Sequence, residues 1–193
     1  MTTQTLLGVL ATIIAFVSFI PYYKDIFDNK TKPHAFSWFV WSLITGTSFL
    51  GQLSVNAGPG AWVMGFVSLG CFSVFLLSLV KGEKNIVLLD WISLTGALIS
   101  LLFWIITKTP VYSAILITLT DALAFVPTLR KSISKPYEET TLTYFLGGIQ
   151  FLISLFALNS ITIVTALYPA FLVIVNFGFS IVLFTRRRQL GAV

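Results

Sequence analysis

Charged residues are scarce in this sequence, at 10% of the chain, and histidine and cysteine occur once each, as His34 and Cys71. A single cysteine cannot close an internal disulfide. With no Cys-x-x-Cys pair, no His-Glu-x-x-His and no embedded cluster of histidines and acids, the chain offers no pattern suited to a metal. Glycine-rich phosphate loops are missing too, so neither a cofactor nor an enzymatic reaction is expected. No lysine lies deep within an apolar stretch, which removes a retinal Schiff-base reading. Nothing basic precedes the first apolar stretch and no Ala-x-Ala step follows it, so it reads as a retained anchor rather than a cleaved leader.

What fills the space is hydrocarbon. Hydrophobic residues make up 56% of 193 residues, and the mean hydropathy is +0.93, too apolar for a soluble domain. Segments of about 17–25 apolar residues suit a hydrocarbon core of about 30 Å. Seven such stretches are predicted, at Leu6 to Tyr23, Ala35 to Ser54, Gly60 to Val80, Val87 to Thr107, Val111 to Leu129, Thr141 to Leu158 and Thr162 to Thr185. They are continuously apolar, which disfavours a β-barrel with its alternating strands. The sequence predicts an all-α integral membrane protein with nothing outside the bilayer but short loops.

The net charge of +5 points to orientation rather than to a nucleic-acid partner. Lys24, Lys30 and Lys32 follow the first span, Lys81 and Lys84 the third, Arg130, Lys131 and Lys135 the fifth, and Arg186 to Arg188 the seventh; only Lys108 falls in the other set of loops. That bias places the C-terminus in the cytoplasm and the N-terminus outside. Arg186 to Arg188 then read as a stop-transfer anchor.

A proline signature occurs twice. Thr12 to Lys24 reads TIIAFVSFIPYYK and Thr118 to Arg130 reads TLTDALAFVPTLR, 106 residues apart and aligned without a gap. Pro21 and Pro127 each remove a backbone hydrogen bond near the cytoplasmic end of a span, as hinges or as simple helix stops. The duplication gives residues 1–84 as one three-helix repeat, 85–110 as a linker helix and 111–193 as the second repeat. This 3+1+3 order makes the repeats parallel, a layout in which solute sites lie between repeats. Pro59 and Pro169 are expected to open the third and seventh helices.

Asp121 is the sharpest single residue. It stands nine residues before Arg130, hence about 13–14 Å inside the membrane at ~1.5 Å per residue, where an acid costs about 2.5–3.5 kcal/mol on insertion scales. It reads as a proton relay or solute ligand, or else as a protonated packing residue; Thr118, one turn earlier, shares its face. The second span carries Trp38, Trp41, Thr45, Ser48 and Gln52 on one face, and the sixth carries Thr140, Thr143, Gly147, Gln150 and Ser154. These stripes superpose at an offset of 102 and line either a pocket or a helix contact. Trp41, Gln52, Tyr144, Gln150 and Asn176 are pocket candidates, because aromatic faces stack on rings while amides fix orientation. Trp38 is open to a role in the interfacial belt, and the Gly147-Gly148 pair reads as a close helix contact. His34 reads as a solvated or capping residue, Asp90 and Trp91 as the start of the fourth helix, and Glu138 and Glu139 as first-turn acids of the sixth.

These residues resemble the SWEET-like and PQ-loop superfamily of seven-helix membrane proteins, whose members include sugar facilitators and proton-coupled lysosomal amino-acid exporters. The resemblance rests on Pro21 and Pro127, the basic residues just after them and the 3+1+3 order, and spans nearly the whole chain. Bacterial seven-helix proteins of unassigned function share the Lys-Pro-His-x-x-Ser-Trp run, here Lys32 to Trp38. Tyr22 and Thr128 stand where the superfamily's motif has glutamine, so the likeness carries the fold rather than the substrate. It implies that Asn176 takes the place of a pocket asparagine, while the corresponding neighbourhood of Phe66 is apolar. The expected function is transport of a small polar solute across a bacterial plasma membrane by alternating access, with Asp121 coupling it to protons. A receptor or assembly factor that uses the same cavity without transport is the other expectation. The expected partners are the solute and the lipid bilayer, with no nucleic acid; oligomeric state is left open.

Overall fold

The structure is a computed structural model that describes residues 1–83, 87–107 and 109–191, without the side chains of Leu89, Asp90, Ser93, Ala97, Ser100, Leu101, Trp104 and Pro127. The readings of Lys84, Lys108 and the Asp90 and Pro127 side chains therefore lie outside the described residues. Among the described residues there is no strand, only α-helices joined by short turns: α1 (Thr3–Phe27), α2 (Ala35–Ser54), α3 (Trp62–Lys81), α4 (Leu88–Thr107), α5 (Pro110–Ser134), α6 (Thr141–Phe156) and α7 (Ile163–Gly191).

The residue pattern within each helix explains why the bundle belongs in lipid. On α1, Gly8, Ala11, Ala15, Ser18 and Tyr22 are buried at spacings of three and four, while Leu6, Leu10, Ile13, Val17 and Ile20 face outward. On α5, Ala114, Ile117, Asp121, Ala124 and Thr128 are buried, and Ile115, Leu119, Leu123 and Val126 are exposed. Small and polar residues turn inward and large aliphatic ones outward, the reverse of a water-soluble helix. Backbones then approach closely, and hydrocarbon covers the rest. Helices α1, α5 and α7, and α3 with the turn before it, are long and apolar enough to cross a membrane. Helix α2 has the length, but its inward stripe of Ser, Thr and Gln lowers its hydropathy.

Helix α3 packs on both α1 and α2, and α7 packs on both α5 and α6; α1 also meets α6, as α5 meets α2. Exchanging α1 with α5, α2 with α6 and α3 with α7 maps each of these pairings onto another. Helix α4 lies outside this pattern, against α5 and α2, with Gly96 opposite Thr120.

Several local expectations change. Pro21 does not end its helix, because α1 continues to Phe27, and residue 127 likewise lies inside α5. Pro59 opens a 3-10 turn leading into α3, but Pro169 is internal to α7. Pro169 is the seventh residue of α7, past the four N–H groups that lack an intrahelical acceptor, so it removes the bond an N–H there would otherwise give to Thr165 O. His34 caps α2, its Nδ1 accepting from Ser37 N at 3.4 Å, and is buried rather than solvated. Glu138 lies in a 3-10 turn and Glu139 just after it, so neither belongs to the first turn of α6.

The two helix sets are joined at both ends. At the end carrying the basic residues, the Thr31 and Thr140 hydroxyls bond at 2.8 Å, and Thr140 donates to Asp25 at 2.7 Å. At the opposite end the turn before α3 meets the turn before α7, with Asn159 N donating to Ala57 O at 2.9 Å and Gly60 N to Ala157 O at 3.1 Å. Gly60 is required by that approach, since a Cβ there would lie 2.5 Å from the Ser154 carbonyl oxygen. Overpacking against backbone costs about 1–3 kcal/mol. Gly60→Ala is therefore expected to lower the thermal midpoint in detergent by several degrees. Gly51→Ala, at a position with open space, is expected to leave it in place; equal shifts for the two would contradict this approach.

Candidate functional site

Between the two helix sets lies a cavity of about 80 Å³, smaller as it stands than the range of about 300–1,000 Å³ usual for sites that hold drug-sized molecules. Each set contributes walls. Ser18 and Phe19 come from α1, Trp38, Trp41 and Thr45 from α2, and Val67 and Cys71 from α3. Asp121 and Phe125 come from α5, Thr143, Tyr144, Gly147, Gln150 and Phe151 from α6, and Tyr168, Leu172, Val175 and Asn176 from α7.

Six of the sequence candidates thus line one cavity: Trp41, Thr45, Asp121, Tyr144, Gln150 and Asn176. Gln52 and Thr118 do not. Gln52 is fully buried further along α2, its amide donating to Ser48 Oγ at 3.3 Å, and Thr118 donates back to Ala114 O at 2.7 Å within α5. Trp38 is a cavity residue rather than an interfacial one. Asn176 reaches the cavity because Gly147 makes room for it: a Cβ on Gly147 would lie 2.5 Å from Asn176 Oδ1.

Symmetry in the hydrogen bonds fixes the register that the stripes left open. Thr143 Oγ1 donates to Ser18 O at 2.9 Å, and Ser37 Oγ donates to Ala124 O at 3.2 Å. Ser18 and Ala124 are 106 residues apart, as are Ser37 and Thr143 and the starts of α2 and α6. The offset is therefore 106 for α2 with α6 as for α1 with α5, not the 102 of the polar stripes, because each stripe mixes cavity residues with residues buried beyond it. Trp38 then corresponds to Tyr144, and Trp41 to Gly147.

Asp121 is 1% exposed, and its Oδ1 has no hydrogen-bond partner. Trp41 and Tyr168 lie against its carboxyl and Cys71 is within electrostatic reach of it, from three different helices. The Tyr168 hydroxyl is also buried and lies against this carboxyl, but it meets no acceptor or donor at hydrogen-bond geometry among the described residues. Leaving such groups unpaired costs about 1–3 kcal/mol each, more when charged, so this is where the protein holds polar capacity in reserve.

Toward the basic end the cavity is floored by rings and a buried ion pair. Tyr22 lies 4.8 Å from Trp38 and Tyr144 4.5 Å from Phe179, centroid to centroid. Glu139, whose side chain is 1% exposed, pairs with Lys131 and accepts from the Tyr144 hydroxyl at 3.0 Å and the Tyr22 hydroxyl at 3.3 Å. Trp38 Nε1 in turn donates to the Tyr22 hydroxyl at 3.1 Å. Arg187 donates to the Glu139 and Pro136 carbonyls, tying α7 to the same corner.

Glu139, Tyr22 and Tyr168 went unrecognised in the sequence. An acid two residues before an apolar run looks like a dipole-matching surface residue, and tyrosines in apolar helices look like packing. Tyr168 had one legible signal: with Leu172 and Asn176 it forms a stripe of every fourth residue on α7.

Among the described residues, helices long and apolar enough to cross a membrane, an exterior of large aliphatic side chains and a largely apolar cavity holding one acid between two similar helix sets define an integral membrane protein. No family model, no curated protein and no solved structure matches this chain.

Breaking a buried ion pair by removing one partner costs about 3–5 kcal/mol, since it strands the other charge. Lys131→Met is therefore expected to destabilise the protein by that order in a detergent-unfolding titration. Adding Glu139→Gln should restore most of the loss; a double variant as unstable as the single one would show that the pair is not what Lys131 contributes.

Proposed function

We propose that the protein is a carrier with seven spans in a 3+1+3, SWEET-like order, moving a small polar solute by alternating access between two three-helix repeats. The observation that carries this reading is the cavity with Asp121 at the seam between the sets, bounded on both sides by breakable bonds. At the basic end these are the Thr31, Thr140 and Asp25 bonds and the Glu139 network; at the opposite end they are the two bonds between the turns before α3 and α7. Opening to one side requires parting one set of bonds while the other holds. The internal position of Pro21 supports a hinge role, because a helix that continues past a proline has a weakened turn at which to bend. The repeat places residue 127 likewise.

In this reading residues 1–84 and 111–193 are the moving repeats and 85–110 is the linker, with the basic end in the cytoplasm of a bacterium. Trp41, Thr45, Tyr144, Gln150 and Asn176 contact the solute, and Asp121 binds it or the coupling proton. A receptor that holds a ligand in the same cavity is the second reading; the closure of both ends favours it.

A reversible lock separates the two. In a Cys71→Ser background, Ala57→Cys with Asn159→Cys joins turns already linked by a backbone bond. Once a thermal-shift screen of sugars, amino acids, nucleosides and small cations has found a ligand, oxidation of this pair is expected to cut its counterflow in proteoliposomes at least tenfold. Reduction should restore it. Binding without counterflow in the unlocked protein would favour the receptor, and counterflow indifferent to the lock would end the rocking mechanism.

A further inference from the structure

Resting on the reading of this cavity as a solute site, we infer that its ligand is a small organic cation, an ammonium carried on an apolar or aromatic body, rather than a sugar or another neutral polyol. The first ground is which polar groups are already occupied. The Ser18 hydroxyl donates to Ala15 O at 2.7 Å, Thr45 to Trp41 O at 2.6 Å, Thr143 to Ser18 O at 2.9 Å and the Asn176 amide to Leu172 O at 2.9 Å. A polyol needs many free donors, and these hydroxyls each spend their one donor hydrogen on the helices' own carbonyls, as Asn176 spends one of its two. Among the fully buried side-chain atoms of this lining, those without a partner are Asp121 Oδ1 and the Tyr168 hydroxyl, one anionic acceptor and one phenol side by side.

The second ground is charge. Among the described residues, no Lys, Arg or His lines the cavity. The nearby cation Lys131 is already paired with Glu139 and lies beyond the floor. Trp41, Tyr168 and Cys71, which lie within reach of Asp121, cannot carry a positive charge. Asp121 is thus a buried acid without a countercharge, and such groups are held by pairing or by neutralisation. Either a proton or a bound cation satisfies it, and the two exclude each other.

The third ground is the wall. Trp41 meets Trp38 edge to face at 5.1 Å and lies 6.0 Å from Phe125, and Phe19 stands 6.2 Å from Trp38. Tryptophan and tyrosine beside a carboxylate form the surroundings in which ammonium groups are stabilised by ring quadrupoles as well as by charge.

The test uses paired probes on the purified full-length chain in detergent. Choline is compared with its uncharged carbon isostere, in which a tert-butyl group replaces the trimethylammonium, and benzylamine with benzyl alcohol. The cationic member of at least one pair is expected to bind roughly tenfold or more tightly than its neutral partner, and Asp121→Asn should erase that preference. Neutral members that bind as well as the cations, a preference that survives Asp121→Asn, or no binding by either cation would each overturn the inference. The paired comparison on the unaltered protein stands even if Asp121→Asn fails to fold. Flux into liposomes is read separately. Cation binding without flux keeps this inference and removes the carrier, while flux of a neutral sugar keeps the carrier and removes the cation.

Discussion

Everything in this molecule depends on one constraint: a polar group inside hydrocarbon must find its partner within the protein. The helices meet it by turning their small and polar residues toward one seam. Tyr23 and Ser73 bond within the first set, Ser68 bonds the Ser42 carbonyl, and Thr143 and Ser37 reach across the seam to backbone carbonyls of the other set. The lipid face is left with leucine, isoleucine, valine and phenylalanine. A seam made this way brings polar chemistry to the bundle axis, where the proposed carrier would bind its solute.

The same constraint makes the exceptions informative. Glu139 is buried yet fully engaged, by Lys131 and two tyrosines; it acts as a bolt between helices, and its worth is structural. Asp121 is equally buried and has an oxygen with nothing attached. Two acids in one fold thus differ in kind. The paired one holds the sets together near the basic end, while the unpaired one keeps binding capacity in the cavity between them.

Much of the fold was legible because hydrocarbon leaves a coarse imprint. Continuous apolar stretches gave the helices, and the repeated Pro21 and Pro127 signature gave the correspondence of α1 with α5. Asp121 was legible for the same reason: a charge amid apolar residues has few explanations. What could not be read was depth along a helix. Gln52 and Trp41 share a face, but only Trp41 reaches the cavity, because Gln52 lies about three turns further along at ~3.6 residues per turn. Glu139 was misread because its partner Lys131 sits on the far side of a loop, and only the fold brings them together. The offset of the second and sixth helices was misjudged from polarity, since residues that correspond by position, such as Trp41 and Gly147, do not correspond in chemistry.

That mismatch has a physical meaning. Cross-seam bonds are kept in both halves, Thr143 with Ser18 and Ser37 with Ala124, whereas the cavity is one-sided, with Asp121 opposite Ala15 in the alignment. A scaffold that moves needs matched halves, and a pocket that recognises needs unmatched ones. The most direct measurement is a pair of spin-label distances in a Cys71→Ser background in liposomes, one between Lys30→Cys and Lys135→Cys at the basic end and one between Val55→Cys and Ile161→Cys at the opposite end. Alternating access predicts that any condition lengthening one distance shortens the other. A single unchanging distance at both ends, or both ends opening together, would contradict it.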